Sequence, residues 1–144
     1  MEIRKMVPGD REEVLAMMCV FYASPAVLSN GSEKIFRADV DACVGDNPFL
    51  EGYVFEENSV LLGYGMLAKS FSTEFGKPCV WIEDLYLKEE SRGKGIGSAF
   101  LQFVATSYPD AVLRLEAEEE NHCAIATYHK NGFRALPYTE LIKL

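Results

Sequence analysis

The sequence predicts a mixed α/β domain in which a mostly antiparallel sheet is flanked by about four helices. Strand-like segments and segments with apolar residues at helical spacing follow one another along the chain, and they are interleaved rather than grouped. A length of 144 residues is sufficient to bury one substantial core. No linker, internal repeat or low-complexity tract divides the chain, so a single domain over residues 1–144 is expected.

The N-terminal part carries the patterns of one strand and two helices. Residues 2–6 alternate in polarity as a strand does, and the following Pro-Gly-Asp breaks the strand and offers Asp10 as a helix N-cap. Apolar residues recur at helical spacing from there to Tyr22, and a Ser-Pro pair then ends the helix. The same spacing predicts a second helix over residues 33–44.

Three strands are predicted in the middle of the chain. Residues 50–56 and 60–70 are joined by a Glu-Asn-Ser turn, as in a hairpin. Residues 80–87, with the sequence VWIEDLYL, are rich in β-branched and aromatic residues and are largely apolar on both faces. Such a segment is typical of a central strand.

Helix and strand alternate in the C-terminal part. Glycines at positions 93, 95 and 97 precede apolar residues at helical spacing, and Pro-Asp ends that helix. Residues 111–117 alternate as a strand, and residues 121–130 form a last helix closed by Asn-Gly. The tail over residues 133–143 is expected to return as a final strand or hairpin.

Composition narrows the functional classes. A net charge of −8 disfavours binding to nucleic acid, because phosphate would be repelled, and it favours a cationic substrate. No apolar run is long enough to cross a bilayer and no signal peptide opens the chain, so a cytoplasmic protein is expected. The four cysteines form no C-x-x-C pair, and with only two histidines no metal site is predicted.

The segment Arg92-Gly93-Lys94-Gly95-Ile96-Gly97 has the features of a phosphate-binding turn. The first N–H groups of a helix have no partner within the helix and lie at the positive end of its dipole. Glycine allows the backbone to approach an anion closely, and Arg92 and Lys94 add positive charge. The spacing fits neither a Rossmann nor a Walker motif. By itself the segment is also compatible with a purely structural turn.

Two motifs make the chain resemble the GNAT superfamily of acetyl-CoA-dependent N-acetyltransferases. The segment from Glu83 to Gly97 resembles motif A, a strand followed by a [RQ]-x-x-G-x-[GA] turn, whose defining positions are occupied by Arg92, Gly95 and Gly97. The segment Asn121-x-x-Ala124-x-x-x-Tyr128-x-x-x-Gly132-Phe133 resembles motif B. The resemblance covers nearly the whole chain and implies the GNAT fold, with six to seven strands in the sheet.

The resemblance also implies how acetyl-CoA, the expected co-substrate, would bind. Backbone groups of the central strand would pair with the pantetheine arm, and amides of the glycine segment would hold the pyrophosphate. The last helix would face the pantetheine. The residues implied in this role are Leu85, Tyr86, Leu87, Arg92, Gly93, Lys94, Gly95, Ile96, Gly97, Ser98, Asn121, Ala124 and Tyr128.

Two side chains are candidates for acid–base catalysis. Acetyl transfer to an amine requires removal of a proton from the ammonium form, and the leaving thiolate benefits from a proton donor. Glu83 and Asp84 interrupt an apolar strand, and the pair resembles the spermidine/spermine branch of the superfamily, in which the Glu binds the amine and acts as base. Glu83 is therefore predicted as the base and Tyr128 as the acid. A structural ion pair and a core tyrosine are the respective alternatives.

The predicted acceptor is a primary amine of a small molecule, either a polyamine, a diamine or an amino acid side-chain amine, which attacks directly in a ternary complex. Residues predicted to bind it are Glu83, Asp84, Tyr22, Ser24, Leu115 and Glu116. Alternative acceptors are a protein N-terminus or an aminoglycoside. A catalytically silent acyl-CoA-binding module and a nucleotide-binding protein are alternatives of other classes. A homodimer is expected because dimers are common in this superfamily.

Overall fold

The computed structural model describes all 144 residues and contains one five-stranded sheet with four helices. The strands are β1 (Glu2–Lys5), β2 (Leu50–Glu57), β3 (Val60–Ser72), β4 (Lys77–Leu87) and β5 (Val112–Leu115), in the spatial order β1-β2-β3-β4-β5. The helices are α1 (Arg11–Tyr22), α2 (Glu33–Val44), α3 (Ile96–Ser107) and α4 (His122–Lys130). None of these helices combines the length and the apolar character that crossing a bilayer requires.

The predicted mixed, mostly antiparallel sheet is confirmed, but its predicted size of six to seven strands is wrong. Strands β1 to β4 pair antiparallel, and β5 pairs parallel with β4. The tail over residues 133–143, predicted as a final strand or hairpin, forms neither. Residues 134–144 make no backbone–backbone hydrogen bond, and Pro137 in their middle has no N–H to contribute to a ladder.

Helices α1 and α2 cover one face of the sheet. Their buried side chains include Val14 and Met18 from α1 and Phe36 and Val40 from α2, and these form one core cluster with Tyr64 and other side chains of the sheet. Asp10 lies at the predicted N-cap of α1, but its carboxylate binds the guanidinium of Arg4 at 2.8 and 2.9 Å instead of capping the helix. This bidentate pair fixes the start of α1 to β1.

Helices α3 and α4 lie on the other side. Phe100, Leu101 and Val104 of α3 are fully or almost fully buried and pack with Phe55 and Leu67 of the sheet in a second core cluster. The C-terminal end of α3 is fixed by Tyr108, whose hydroxyl donates to Glu51 at 2.6 Å. The two clusters together bury both faces of the sheet, as a sheet between two helical layers requires.

A β-bulge at Glu83 changes which of the two helical layers the side chains of β4 pack against. Ile82 lies opposite Leu67 and Asp84 opposite Met66, so Glu83 has no partner on β3. Before the bulge, Ile82 packs in the α3 layer, whereas after it Tyr86 packs in the α1–α2 layer. Even-numbered residues therefore change faces at the bulge. Bulges are frequent beside functional sites, where they redirect a side chain.

Candidate functional site

The second half of β4 has one free edge. β5 pairs with β4 only from Cys79 to Ile82, and β5 itself ends at Leu115, the partner of Ile82. Beyond this point β4 continues to Leu87 with β3 on one side and no strand on the other. Leu85, Tyr86 and Leu87, which were predicted to contact pantetheine, lie along this free edge. Its backbone groups can pair with an extended, amide-containing ligand in the way a further strand would.

The N-terminus of α3 presents unpaired backbone N–H groups. Gly95 is the N-cap residue with a φ of +80°, and because glycine has no side chain it leaves the N–H groups of Ile96, Gly97 and Ser98 without a side-chain cap. A Cβ built on Gly93 or Gly95 would meet no atom within 4 Å, so the turn is open to an approaching ligand. This geometry suits a phosphate group.

Two exposed cations accompany this helix terminus. Arg92 and Lys94 are both exposed, and the salt bridges of the chain involve neither. Arg92 Nε donates to the carbonyl of Leu87 at 3.1 Å, and its guanidinium lies 6.0 Å from the ring centroid of Tyr86. The side chain therefore connects the turn to the end of β4. The helix terminus therefore has two cations that no acid of the chain pairs with, although the whole chain carries −8.

Helix α4 places the motif B residues beside α3. Asn121 caps α4 by accepting a hydrogen bond from the N–H of Ala124 at 3.4 Å. The hydroxyl of Ser98 accepts from Asn131 Nδ2 at 2.9 Å, which connects α3 to the end of α4. Asn121 and Ser98 thus have structural contacts in addition to their predicted contacts with the cofactor.

Tyr128 is half-buried, and its hydroxyl makes no hydrogen bond within the chain. Its ring packs edge-on against Phe133, with the ring centroids 6.2 Å apart. Burial raises the pKa of the Tyr128 hydroxyl, so the phenol keeps its proton at neutral pH. A protonated hydroxyl without an intramolecular acceptor can donate to a ligand.

Glu83 is exposed at the bulge and is surrounded by other acids. Desolvation by the surrounding protein raises the pKa of Glu83, and the charges of Asp84, Glu140 and Asp39 raise it further. Glu83 forms no salt bridge, whereas other carboxylates of the chain, such as Asp10 and Glu51, do. The carboxylate is therefore available to a cation and is a better proton acceptor than an ordinary glutamate.

The structure places Asp84 differently from Glu83. Asp84 is only 4% exposed, and its carboxylate accepts hydrogen bonds from the hydroxyls of Tyr22 at 3.0 Å and Tyr64 at 2.8 Å. Ser24, another predicted acceptor contact, uses its hydroxyl to donate to the carbonyl of Phe21 at 2.6 Å and to accept from the N–H of Ala26. The hydrogen bonds of Asp84 and Ser24 therefore stabilise the C-terminal end of α1.

A groove runs between β5, α4 and the tail. Tyr128 lines it from α4, and Leu115 and Glu116 line it from β5 and the residue after it. Burial and the neighbouring Glu140 raise the pKa of Glu116 to about 7, with a smaller contribution from Glu83. The structure thus brings Glu116 close to the carboxylate at the bulge.

Three residues of this region were missing from the sequence-based prediction. Asp39 lies on α2 between Phe36 and Val40, and a carboxylate on the inward-facing side of a helix was a signal in the sequence. Tyr64 resembled any core tyrosine of a strand. Glu140 lies on the tail, whose path the sequence does not determine. No group of three or more histidine, cysteine or carboxylate side chains is arranged to hold a metal ion.

Comparison with known proteins agrees with this geometry. The family model described as "Acetyltransferase (GNAT) family" matches residues 18–133. Thialysine N-epsilon-acetyltransferase of Sus scrofa is 32% identical over 151 residues, covering 96% of this chain and 86% of the relative. The Bos taurus protein of the same name is 33% identical, covering 76% of this chain and 68% of the relative.

Solved structures share the fold. A possible acetyltransferase from Clostridium difficile 630 superposes with a TM-score of 0.82 at 18% identity, covering 99% of this chain and 96% of that one. An aminoglycoside N-acetyltransferase in complex with CoA gives a TM-score of 0.78 at 14% identity, covering 99% and 93% of the two chains. At these identities the similarity concerns the fold alone.

Proposed function

Because the chain belongs to the acetyltransferase (GNAT) family, we propose that it transfers the acetyl group of acetyl-CoA to a primary amine of a small cationic molecule. The preferred acceptor is a diamine, a polyamine or an amino acid with a side-chain amine. The names of the two mammalian relatives support the last class, since they specify the ε-nitrogen of thialysine.

The observation that carries the choice of acceptor is a group of carboxylates that form no salt bridge, of which Glu116 alone has a nearby cation, Arg114. They come from α2, β4, the residue after β5 and the tail. Burial raises the pKa of Asp39, Glu83 and Glu116, and the negative charge of other members raises each of these pKa values further. The members of the group are Asp39, Glu83, Asp84, Glu116 and Glu140. None of them forms a salt bridge, although arginines and lysines pair with acids elsewhere in the chain. A substrate ammonium group would relieve their mutual repulsion.

The residues fit acetyl-CoA as the second substrate. The N–H groups at the start of α3, with Arg92 and Lys94, would hold the pyrophosphate, and the free edge of β4 from Leu85 to Leu87 would pair with the pantetheine arm. With acetyl-CoA bound in this way, the thioester would lie between Glu83 and Tyr128. The acceptor side and the donor side of the site then meet at the bulge.

In the proposed reaction Glu83 binds the ammonium group of the acceptor and takes one proton from it, directly or through water. The neutral amine attacks the thioester carbonyl carbon, so that the new N–C bond forms and the C–S bond breaks. The hydroxyl of Tyr128 donates a proton to the leaving thiolate, and the second proton lost by the attacking nitrogen returns through solvent to the Tyr128 phenolate, which gives the neutral amide and restores the hydroxyl. The raised pKa values of both groups agree with these roles, since Glu83 is the stronger base and Tyr128 remains protonated.

The acceptor class is tested by measuring thiol release from acetyl-CoA with a panel of amines. The panel contains spermidine, spermine, thialysine, lysine, a peptide with a free N-terminus and an aminoglycoside. We expect the highest kcat/KM for a small amine that carries a second positive charge or an amino acid backbone. Activity on the peptide or the aminoglycoside alone would refute the proposed acceptor. Binding of CoA without turnover of any amine would favour the silent acyl-CoA-binding module.

A further inference from the structure

Asp84 is held by two tyrosine hydroxyls that come from different elements. Tyr22 is the last residue of α1 and donates to Oδ1 at 3.0 Å, and Tyr64 in β3 donates to Oδ2 at 2.8 Å. Tyr64 is fully buried and Asp84 is 4% exposed. The carboxylate therefore has one donor on each oxygen and almost no contact with solvent.

Glu51 is a second carboxylate that accepts hydrogen bonds from two tyrosines, and it serves as the structural comparison for Asp84. Glu51 accepts from the hydroxyls of Tyr53 at 2.8 Å and Tyr108 at 2.6 Å, and Lys69 lies 3.0 Å away as a cationic partner. The hydrogen bonds from these three side chains overcome burial and lower the pKa of Glu51 to about 2.

Asp84 also accepts hydrogen bonds from two tyrosines, but unlike Glu51 it has no cationic side chain bonded to it. Burial raises the pKa of Asp84, and the two hydroxyl donors offset only part of this effect. A buried acid of this kind is costly to the fold. Its place next to Glu83 suggests that the cost is connected with the function of the site.

Tyr22 is the half-buried member of this cluster. Its ring packs on Phe36 of α2, with the ring centroids 4.9 Å apart, and its hydroxyl bond to Asp84 connects the end of α1 to β4. The hydroxyl also lies within the electrostatic influence of Glu83 and Asp39. The chain then leaves α1 into the connection over residues 23–32, so the position of Tyr22 helps to determine where that connection begins.

We propose that Asp84 and Tyr64 are positioning residues, which hold Tyr22 as a wall of the acceptor cleft beside Glu83 and do not themselves bind the amine. This inference rests on the proposed function, because the cleft is the one that takes the amine. Tyr64 acts from the buried side of the carboxylate and Tyr22 from the cleft side. Losing the Tyr22 hydroxyl removes the bond from α1 to Asp84, and losing the Tyr64 hydroxyl leaves that bond attached to a carboxylate that is held by a single donor.

The test is the substitution Tyr64→Phe, measured as separate KM values for the amine and for acetyl-CoA. Tyr64 is fully buried and donates to the oxygen of Asp84 that Tyr22 does not contact, so its own side chain is not accessible to an amine. We expect the KM for the amine to rise about tenfold, as is typical for the loss of a hydrogen bond to a charged group, while the KM for acetyl-CoA stays unchanged. Tyr53→Phe is the matched control, since it removes a tyrosine hydroxyl from Glu51, the comparable cluster, and should change neither constant.

A double-mutant cycle with Tyr22→Phe distinguishes one unit from two separate contacts. If both hydroxyls act through Asp84, the double variant will raise the KM for the amine by much less than the product of the two single effects. Multiplicative effects, or equal changes in both KM values, would overturn the proposal. So would a Tyr64→Phe enzyme that behaves like the Tyr53→Phe control.

Failure of this inference can be told apart from failure of the proposed function. If wild-type protein acetylates a small amine and Tyr64→Phe leaves the KM for the amine unchanged, the positioning role is wrong and the acceptor class stands. If wild-type protein acetylates no small amine, the proposed function is wrong and the positioning role falls with it.

Discussion

At the scale of single residues, the site depends on carboxylates whose surroundings differ although they are neighbours in sequence. Glu83 is exposed on the bulge and has no hydrogen-bond donor, whereas Asp84 is buried between two tyrosines. Desolvation raises the pKa of Glu83, and the nearby negative charge of Asp84 raises it further. Under the proposed function, Glu83 provides the base and Asp84 adjusts its strength.

The raised pKa of Glu83 predicts the pH dependence of the reaction. A base must be unprotonated, so activity is lost as the pH falls through its pKa. We expect the acidic limb of the kcat/KM profile to lie clearly above about 4.3, the ordinary value for glutamate. In Glu83→Gln this limb should disappear and kcat should fall by about 100-fold or more. Glu2→Gln, which changes an exposed acid on β1, is the control; an unchanged profile in Glu83→Gln would exclude the residue as base.

At the scale of elements, the donor side depends on how α3 begins. The glycine N-cap leaves the first N–H groups free for an anion, whereas α2 begins with Ser32, whose hydroxyl caps the N–H of Ile35. Two helices of equal length therefore begin in different ways. The uncapped one is the helix that follows the exposed Arg92 and Lys94.

Substituting Gly95→Ala tests this role of the α3 terminus. A residue with a Cβ is strained at a φ of +80°, so we expect a loss of about 1–2 kcal/mol of stability together with weaker CoA binding. Gly76→Ala is a matched control, because Gly76 also has a positive φ and open space around it but lies in the β3–β4 turn. Calorimetry should show lower stability in both variants and weaker CoA binding in Gly95→Ala alone. Equal CoA affinity in both would contradict the role of this turn.

At the scale of the whole molecule, the charge distribution separates the two substrates. Under the proposed function, the net charge of −8 would attract a cationic acceptor, and the exposed Arg92 and Lys94 would attract an anionic donor. Screening by salt weakens such long-range attraction when the charges are exposed. The loss of attraction on adding salt should therefore be larger for an acceptor with more positive charges.

A salt titration tests this consequence. From about 0.02 M to about 0.3 M KCl, we expect kcat/KM for a triamine to fall by about 3- to 10-fold. A monoamine of similar length should show a shallower slope under the same conditions. Equal slopes for the two amines would mean that the carboxylates act only at contact distance and that the overall field has no role.

Much of the architecture could be predicted from the sequence because it depends on local patterns. The helical spacing and the glycines predicted α2, α3 and the glycine turn between β4 and α3 close to their observed positions. The tail could not be predicted in this way, because alternation does not say whether a sheet edge will accept a strand. Tyr64 and Glu140 were missed for a related reason, since their relevance arises from contacts between distant parts of the chain.

The bulge at Glu83 also limits how this site can change during evolution or in a design. Replacing residue 83 alters the chemistry and leaves the two layers as they are. Deleting it would restore simple alternation, and residues 84–87 would then exchange faces, so that Asp84 and Tyr86 would enter the apolar α3 layer. New acceptors are therefore accessible to this scaffold through substitutions, and a change in the length of β4 would remove the fold together with the activity.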